Sequence, residues 1–187
     1  ARDKSNFLRI DMESSNNTDD TFEIYNSLKK RYSGVGVVLQ AYLKRSIDDI
    51  ENLAGPKFNA RICKGIYKED SEIAYKEKDV INNNFLKMAK LMLLKNSYAC
   101  FATHDQKLID SLVELVEKMK IKNTKFEFQV LYGVPMNGKL EKLISKGYKV
   151  RIYVPFGPDW YEYSLRRLKE NPNIAGYVIK NLFFKNK

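Results

Sequence analysis

Val35-Gly-Val-Val-Leu39 and Tyr98-Ala-Cys-Phe-Ala102 are apolar at successive rather than alternate positions. A strand with one wet face alternates. A strand buried on both faces does not, and such strands belong to parallel sheets covered by helices. Working outward, these runs extend to 35–40 and 98–104, and similar β-branched and aromatic stretches stand at 7–12, 60–65, 126–133 and 149–155. Their spacing suits one strand plus one helix. Helical patterns fill the intervals. Residues 18–31 carry Phe22, Tyr25 and Leu28, and residues 80–95 carry Ile81, Phe85, Met88, Leu91 and Met92 on one side. Residues 106–119 set Leu108, Ile109, Leu112, Leu115, Val116 and Met119 against Lys and Glu. Helices are also expected at 137–145, at 160–170 before Asn171-Pro172, and at 173–184.

Alternating strands and helices predict an α/β fold with a parallel sheet. Six βα units fit an open doubly wound sheet or most of a (β/α)8 TIM-like barrel, and the polar residues favour the barrel. Arg9 and Asp11, Glu127 and Gln129, and Arg151 and Tyr153 are spaced i,i+2, so each pair projects to one face. Gln40, Arg61, Lys64, Thr103 and His104 sit in the second halves of their strands. An open sheet gathers its site at one crevice, whereas a barrel collects side chains from many strand C-termini. A complete barrel takes about 250 residues, and this chain has 187. The expectation is one barrel domain over 1–187 whose first two βα units are absent from the chain. Ala1, in place of Met, just before a strand-like run fits a truncated or processed polypeptide.

Composition narrows the classes. With 44% hydrophobic residues the chain is no disordered polybasic tail, despite a formal charge of +10. No apolar run approaches the roughly 20 residues that cross a bilayer. Cys63 and Cys100 are too few for a disulfide framework and suit a reducing compartment such as the cytoplasm; with one His they also make a zinc cluster unexpected.

Several residues are candidates for chemistry. Asp11 faces inward with Arg61 and Lys64 available, as a structural ion network or as a site. Lys64-Gly65 suits phosphate approach by charge and by a backbone without a Cβ. His104, the single imidazole, has no nucleophile to pair with and reads more readily as a hydrogen-bonded core residue than as a catalyst. Arg166 and Arg167 would clamp a carboxylate if their helix lay across the site, with Glu170 one turn on to orient them; otherwise they are a solvated helix end.

In order along the chain stand Arg9-Ile-Asp-Met12, Val38-Leu-Gln-Ala-Tyr42, Arg61-x-x-Lys-Gly-x-Tyr67, Ala102-Thr-His104, Phe126-Glu-Phe-Gln-x-Leu-Tyr-Gly133, Val150-Arg-Ile-Tyr-Val-Pro155 and Tyr163-x-x-Arg-Arg-Leu-x-Glu-Asn171. Together they resemble the flavin-dependent proline dehydrogenases, a family of distorted (β/α)8 barrels that oxidise L-proline. The resemblance implies that the first of these strands is the family's third and the last its eighth. It implies Asp11 as the active-site aspartate and Arg61 as the arginine beside flavin N5. Met12, Gln40, Lys64, Gly65, Ile66, Thr103, His104 and Gln129 then hold FAD, and Tyr67, Leu131, Tyr153 and Tyr163 wall the proline ring. Arg166 and Arg167 bind the substrate carboxylate beside Glu170. Tyr153 separates the pattern from relatives acting on hydroxyproline, which carry a smaller residue there. The family's substrate-holding lysine would lie upstream of Ala1. A quinone accepts the electrons in relatives. The +10 charge would help a peripheral encounter with an anionic inner-membrane surface, although a lysine-rich solvated shell is the plainer reading.

Two other readings compete. A nucleic-acid binder would interleave aromatics with Lys and Arg on one exposed stretch, whereas most aromatics here fall in strands and apolar helix stripes. A fragment dependent on its missing N-terminal part would have no activity alone.

Overall fold

The computed structural model describes residues 1–154 and 156–158. Among these residues six strands form one parallel sheet, β1 (Leu8–Arg9), β2 (Val35–Gln40), β3 (Asn59–Cys63), β4 (Tyr98–Ala102), β5 (Phe126–Leu131) and β6 (Val150–Tyr153). Each strand pairs with the next in sequence. This consecutive order has no switch point, so the doubly wound alternative is excluded. The intervening helices are α1 (Thr18–Arg31), α2 (Ser46–Leu53), α3 (Lys78–Leu94), α4 (Gln106–Lys118) and α5 (Lys139–Ser145). The segments expected to be helical at 160–170 and 173–184 lie outside the described residues.

The two faces of the sheet differ in chemistry. Val37 and Leu39, Ala60 and Ile62, Ala99 and Phe101, and Phe126 and Phe128 alternate onto the helix-covered face and are buried. There they meet Phe22 and Tyr25 of α1, Phe85, Met88 and Met92 of α3, and Leu108, Leu112 and Val116 of α4. Phe101, Phe126, Phe128 and Tyr148 pack ring against ring at centroid distances of 5.5–6.0 Å. Helix α4 begins where its pattern predicts because the Asp105 carboxylate accepts the Leu108 N–H at 3.2 Å.

The opposite face carries Arg9, Asn59, Arg61, Cys100, Glu127, Gln129 and Arg151, and it is concave. In a flat sheet β1 and β4 would stand about 14 Å apart, beyond the reach of one side chain. Yet Arg9 Nη2 on β1 donates to Asn59 Oδ1 on β3 (2.6 Å) and to Cys100 Sγ on β4 (3.3 Å). Only a curled sheet brings those strands together. Gly36 opens the route: a Cβ there would lie 2.5 Å from the Asn59 carbonyl oxygen and 2.6 Å from Arg9 Nη1.

Candidate active site

The last residues of five successive strands, Gln40, Cys63, Ala102, Leu131 and Tyr153, all line one cavity of about 560 Å³. Parallel strands curling about a common axis converge their C-terminal ends, and the loops that follow complete the walls. The volume lies within the roughly 300–1,000 Å³ of small-molecule sites.

Arg61 is its most constrained charge. Its Nη1 donates to Asp11 Oδ1 (2.9 Å) and its Nε to Gln129 Oε1 (2.9 Å). Its guanidinium carbon lies 5.6 Å from the centre of the Tyr153 ring. The Gln129 amide is used at both ends, since its Nε2 donates to Glu127 Oε1 at 2.7 Å. Glu127 in turn accepts from Arg151 (2.6 and 3.0 Å) and from the Tyr98 hydroxyl (2.9 Å), with the Lys149 ammonium at 3.1 Å. Burial alone would raise the Glu127 carboxyl, but the donors led by Arg151 and Gln129 more than offset it and hold the pKa at about 2. A line of fixed contacts thus runs from Asp11 through Arg61, Gln129 and Glu127 to Arg151.

His104 accepts the Leu131 N–H at Nε2 (2.9 Å), which places its proton on Nδ1. The ring keeps an exposed edge, yet desolvation lowers its pKa. Thr103 is buried and its hydroxyl accepts the Asp105 N–H at 3.1 Å. Gln40 is buried and its Nε2 donates to the Glu13 carbonyl at 2.9 Å. Met12, Ile66, Val38 and Val130 supply apolar lining.

Eleven expected residues therefore meet at the cavity: Asp11, Met12, Gln40, Arg61, Ile66, Tyr67, Thr103, His104, Gln129, Leu131 and Tyr153. Lys64 and Gly65 lie beside it with altered local reasons. The Lys64 ammonium is engaged by Asp105 at 2.8 Å, with Lys78 at 3.5 Å from the same carboxylate. Gly65 has φ +105°, and the space its Cβ would take is filled by the Tyr42 ring. Its requirement for glycine is thus already met within the chain. Tyr163, Arg166, Arg167 and Glu170 lie outside the described residues. Glu13, Val38, Cys63, Ala102 and Val130 also line the cavity, and the sequence reading assigned none of them a role in a site. Glu13, whose carboxylate accepts the Tyr67 hydroxyl, bears no local signal beyond adjacency to Asp11-Met12.

An all-parallel, consecutively ordered sheet with a charged cavity over its strand ends defines an α/β domain with a cavity of small-molecule size at the carboxyl face of its strands. The chain belongs to the proline dehydrogenase family, whose model, Proline dehydrogenase, matches residues 1–179. It is 40% identical over 175 residues to "Proline dehydrogenase 2" of Bacillus subtilis strain 168, covering 94% of this chain and 57% of that protein. It is 35% identical over 184 residues to "Proline dehydrogenase" of Deinococcus radiodurans, covering 97% and 59%. The chain thus spans a little over half the length of these curated relatives. Among solved structures it is similar to proline utilization A from Bdellovibrio bacteriovorus inactivated by N-propargylglycine. The TM-score is 0.81 at 28% identity, covering 91% of this chain and 20% of that one.

Proposed function

We propose that this chain is the larger part of an FAD-dependent proline dehydrogenase that oxidises L-proline to 1-pyrroline-5-carboxylate. In this reading residues 1–187 form one barrel domain, β1–β6 are strands three to eight of a (β/α)8 barrel, and the first two units come from residues upstream of Ala1. The supporting observation is the fixed Asp11–Arg61–Gln129 contact at the mouth of the strand-end cavity, beside Tyr153.

The lining fits a flavin. A flat tricyclic ring with polar edges needs apolar walls and oriented donors, and Val38, Met12 and Val130 stand here with Arg61, Gln40, Thr103 and His104. The flavin, when bound, supplies a two-electron acceptor for the hydride that leaves proline C5. The chain's own residues do the remainder. Arg61, anchored on two sides, offers positive charge where electron density arrives and cannot swing away. Asp11 and Gln129 act through that anchoring. Tyr67, Leu131 and Tyr153 wall the ring and limit water. In this reading Arg166 and Arg167 bind the carboxylate, with Glu170 and Tyr163 also serving the substrate, and cationic surroundings lower the amine's pKa toward the neutral form needed for hydride loss. The amine proton passes to solvent as the C=N bond forms, and a quinone takes the electrons onward.

Among the described residues no helix is long and apolar enough to cross a membrane. A cytoplasmic enzyme meeting the membrane at its periphery is the companion proposal.

The test is the absorbance of the purified protein, with its upstream part, before and after L-proline under anaerobic conditions. A yellow protein bleached by L-proline is expected. A colourless protein that takes up no FAD, or a yellow one unchanged by L-proline, contradicts the reading.

A further inference from the structure

The loop between β3 and α3 delivers Ile66 and Tyr67 to the cavity, with Lys64 and Gly65 beside it, so its position decides the cavity's shape. The Glu69 carboxylate ties it to two neighbouring segments. Glu69 accepts both the backbone N–H and the hydroxyl of Ser15, each at 2.7 Å, and the Tyr42 hydroxyl at 3.4 Å. Ser15 belongs to the segment after β1 and Tyr42 to the segment after β2, so three consecutive strand-to-helix connections meet at this side chain.

The surroundings are built to match. The Tyr42 ring is buried and occupies the space beneath Gly65, which turns its hydroxyl toward Glu69. The far leg of the loop is tied to the same segment, since Tyr75 N–H donates to the Tyr42 carbonyl (2.7 Å) and Lys44 N–H to the Ile73 carbonyl (2.9 Å). The Lys76 ammonium reaches the Glu69 carbonyl. Glu69 is half-buried, and its carboxyl is held below the ordinary range first by the Ser15 backbone N–H and then by the Ser15 hydroxyl. A second contact runs parallel to the first: two residues back on each side, the Tyr67 hydroxyl donates to the Glu13 carboxylate. Both of these residues line the cavity, and Glu69 does not.

We propose that Glu69 is a positioning residue: it straps the segment after β3 to the segment after β1, and so fixes the Tyr67–Glu13 wall against which the substrate packs. That the substrate is L-proline rests on the reading above, but the strap itself does not. A displacement of about 1 Å at such a wall costs up to roughly 10²-fold in rate or affinity.

Glu69→Ala, Glu69→Gln and Ser15→Ala in the flavin-loaded full-length protein test this by two readouts. Mild trypsin treatment reports the strap without reference to activity, because Lys68 and Lys76 flank it. Cleavage after these lysines is expected to accelerate at least 10-fold in Glu69→Ala, and less in Ser15→Ala and Glu69→Gln, which keep part of the contact. Steady-state kinetics report the positioning: KM for L-proline is expected to rise about 10-fold or more with kcat changed less than threefold. Glu69→Ala added to Tyr67→Phe should then cost little beyond Tyr67→Phe alone, as residues acting through one another do. Unchanged trypsin resistance overturns the proposal, as does an unchanged KM or full multiplication of the two effects. A wild-type protein that L-proline does not reduce, while trypsin protection still depends on Glu69, strikes the proline reading and upholds the strap.

Discussion

Arg61 shows how much of this site is decided by single side chains. Two of its donors are spent on Asp11 and Gln129, and those bonds aim the guanidinium rather than merely neutralising it. His104 is aimed as firmly. Because Nε2 accepts the Leu131 N–H, protonation there must break that bond, and desolvation disfavours the imidazolium further. As the only imidazole in the chain it gives one clean titration by nitrogen NMR. The expected result is the Nδ1–H tautomer at pH 7 and a pKa below the ordinary value of about 6.5. An Nε2–H tautomer, or a pKa above 6.5, would contradict the placement. The sign follows: a lowered folded pKa makes the neutral ring's contribution full above about pH 6.5 and lost as pH falls below it. At this scale the sequence was informative where residue type is restrictive. Polar side chains in the second half of a strand are restrictive, and so Asp11, Arg61, Gln129 and His104 could be placed near the strand ends from the sequence, where all four line the cavity. The partnership of Lys64 with Asp105 was not, because it joins residues forty-one apart in two different loops.

Elements were legible to the degree that their own burial is simple. Helix α4 could be read almost to the residue from its stripe of Leu108, Ile109, Leu112 and Val116, and the structure adds Asp105 as its cap. Helix α2 escaped notice: in Ser46–Leu53 only Ile50 is fully enclosed among the apolar residues, while Asp48, Asp49 and Glu51 dilute its period. Strand β1 is two residues rather than six, because after Ile10 N–H bonds the Gly36 carbonyl the chain turns out of the sheet to present Asp11 and bury Met12. The start of α5 is later than its apolar pattern suggests, since Asn137 and Gly138 both have positive φ, at 48° and 75°. Gly36 carries the element-scale prediction. Arg9 crosses β2 only because that residue lacks a Cβ, and one of the obstructing atoms is backbone. Gly36→Ala should destabilise the fold by about 1–3 kcal/mol, seen as a lower urea midpoint at unchanged slope. A variant as stable as the parent would show that the crossing is not needed.

Across the whole molecule the sheet separates two environments, an apolar layer under the helices and a polar concave face that ends in the cavity. The core was visible in the sequence as successive apolar positions. The curl was visible only indirectly, as polar residues at the ends of many strands; which side chains it would bring together, as it does Arg9 with β3 and β4, was not. Glu127 ties the concave face together and gives it a pH signature. Its folded pKa of about 2 lies below the ordinary glutamate value of about 4.3. Between those values the unfolded chain binds a proton that the folded one does not, so stability from this group is complete above about pH 5 and lost as pH falls toward 2. Urea midpoints measured from pH 6 to pH 3 should fall more steeply for the parent than for Glu127→Gln. Parallel slopes would remove Glu127 from its central place.

We propose that Arg61, fixed by Asp11 and Gln129, stands where electrons leave the substrate. Anaerobic stopped-flow reduction of the FAD-loaded, full-length Arg61→Met variant by L-proline tests it most directly. The reduction rate should fall about 10²-fold or more, with proline affinity, read from the saturation of that rate, changed several-fold at most. Equal losses in rate and affinity, or an unchanged rate, would contradict the account.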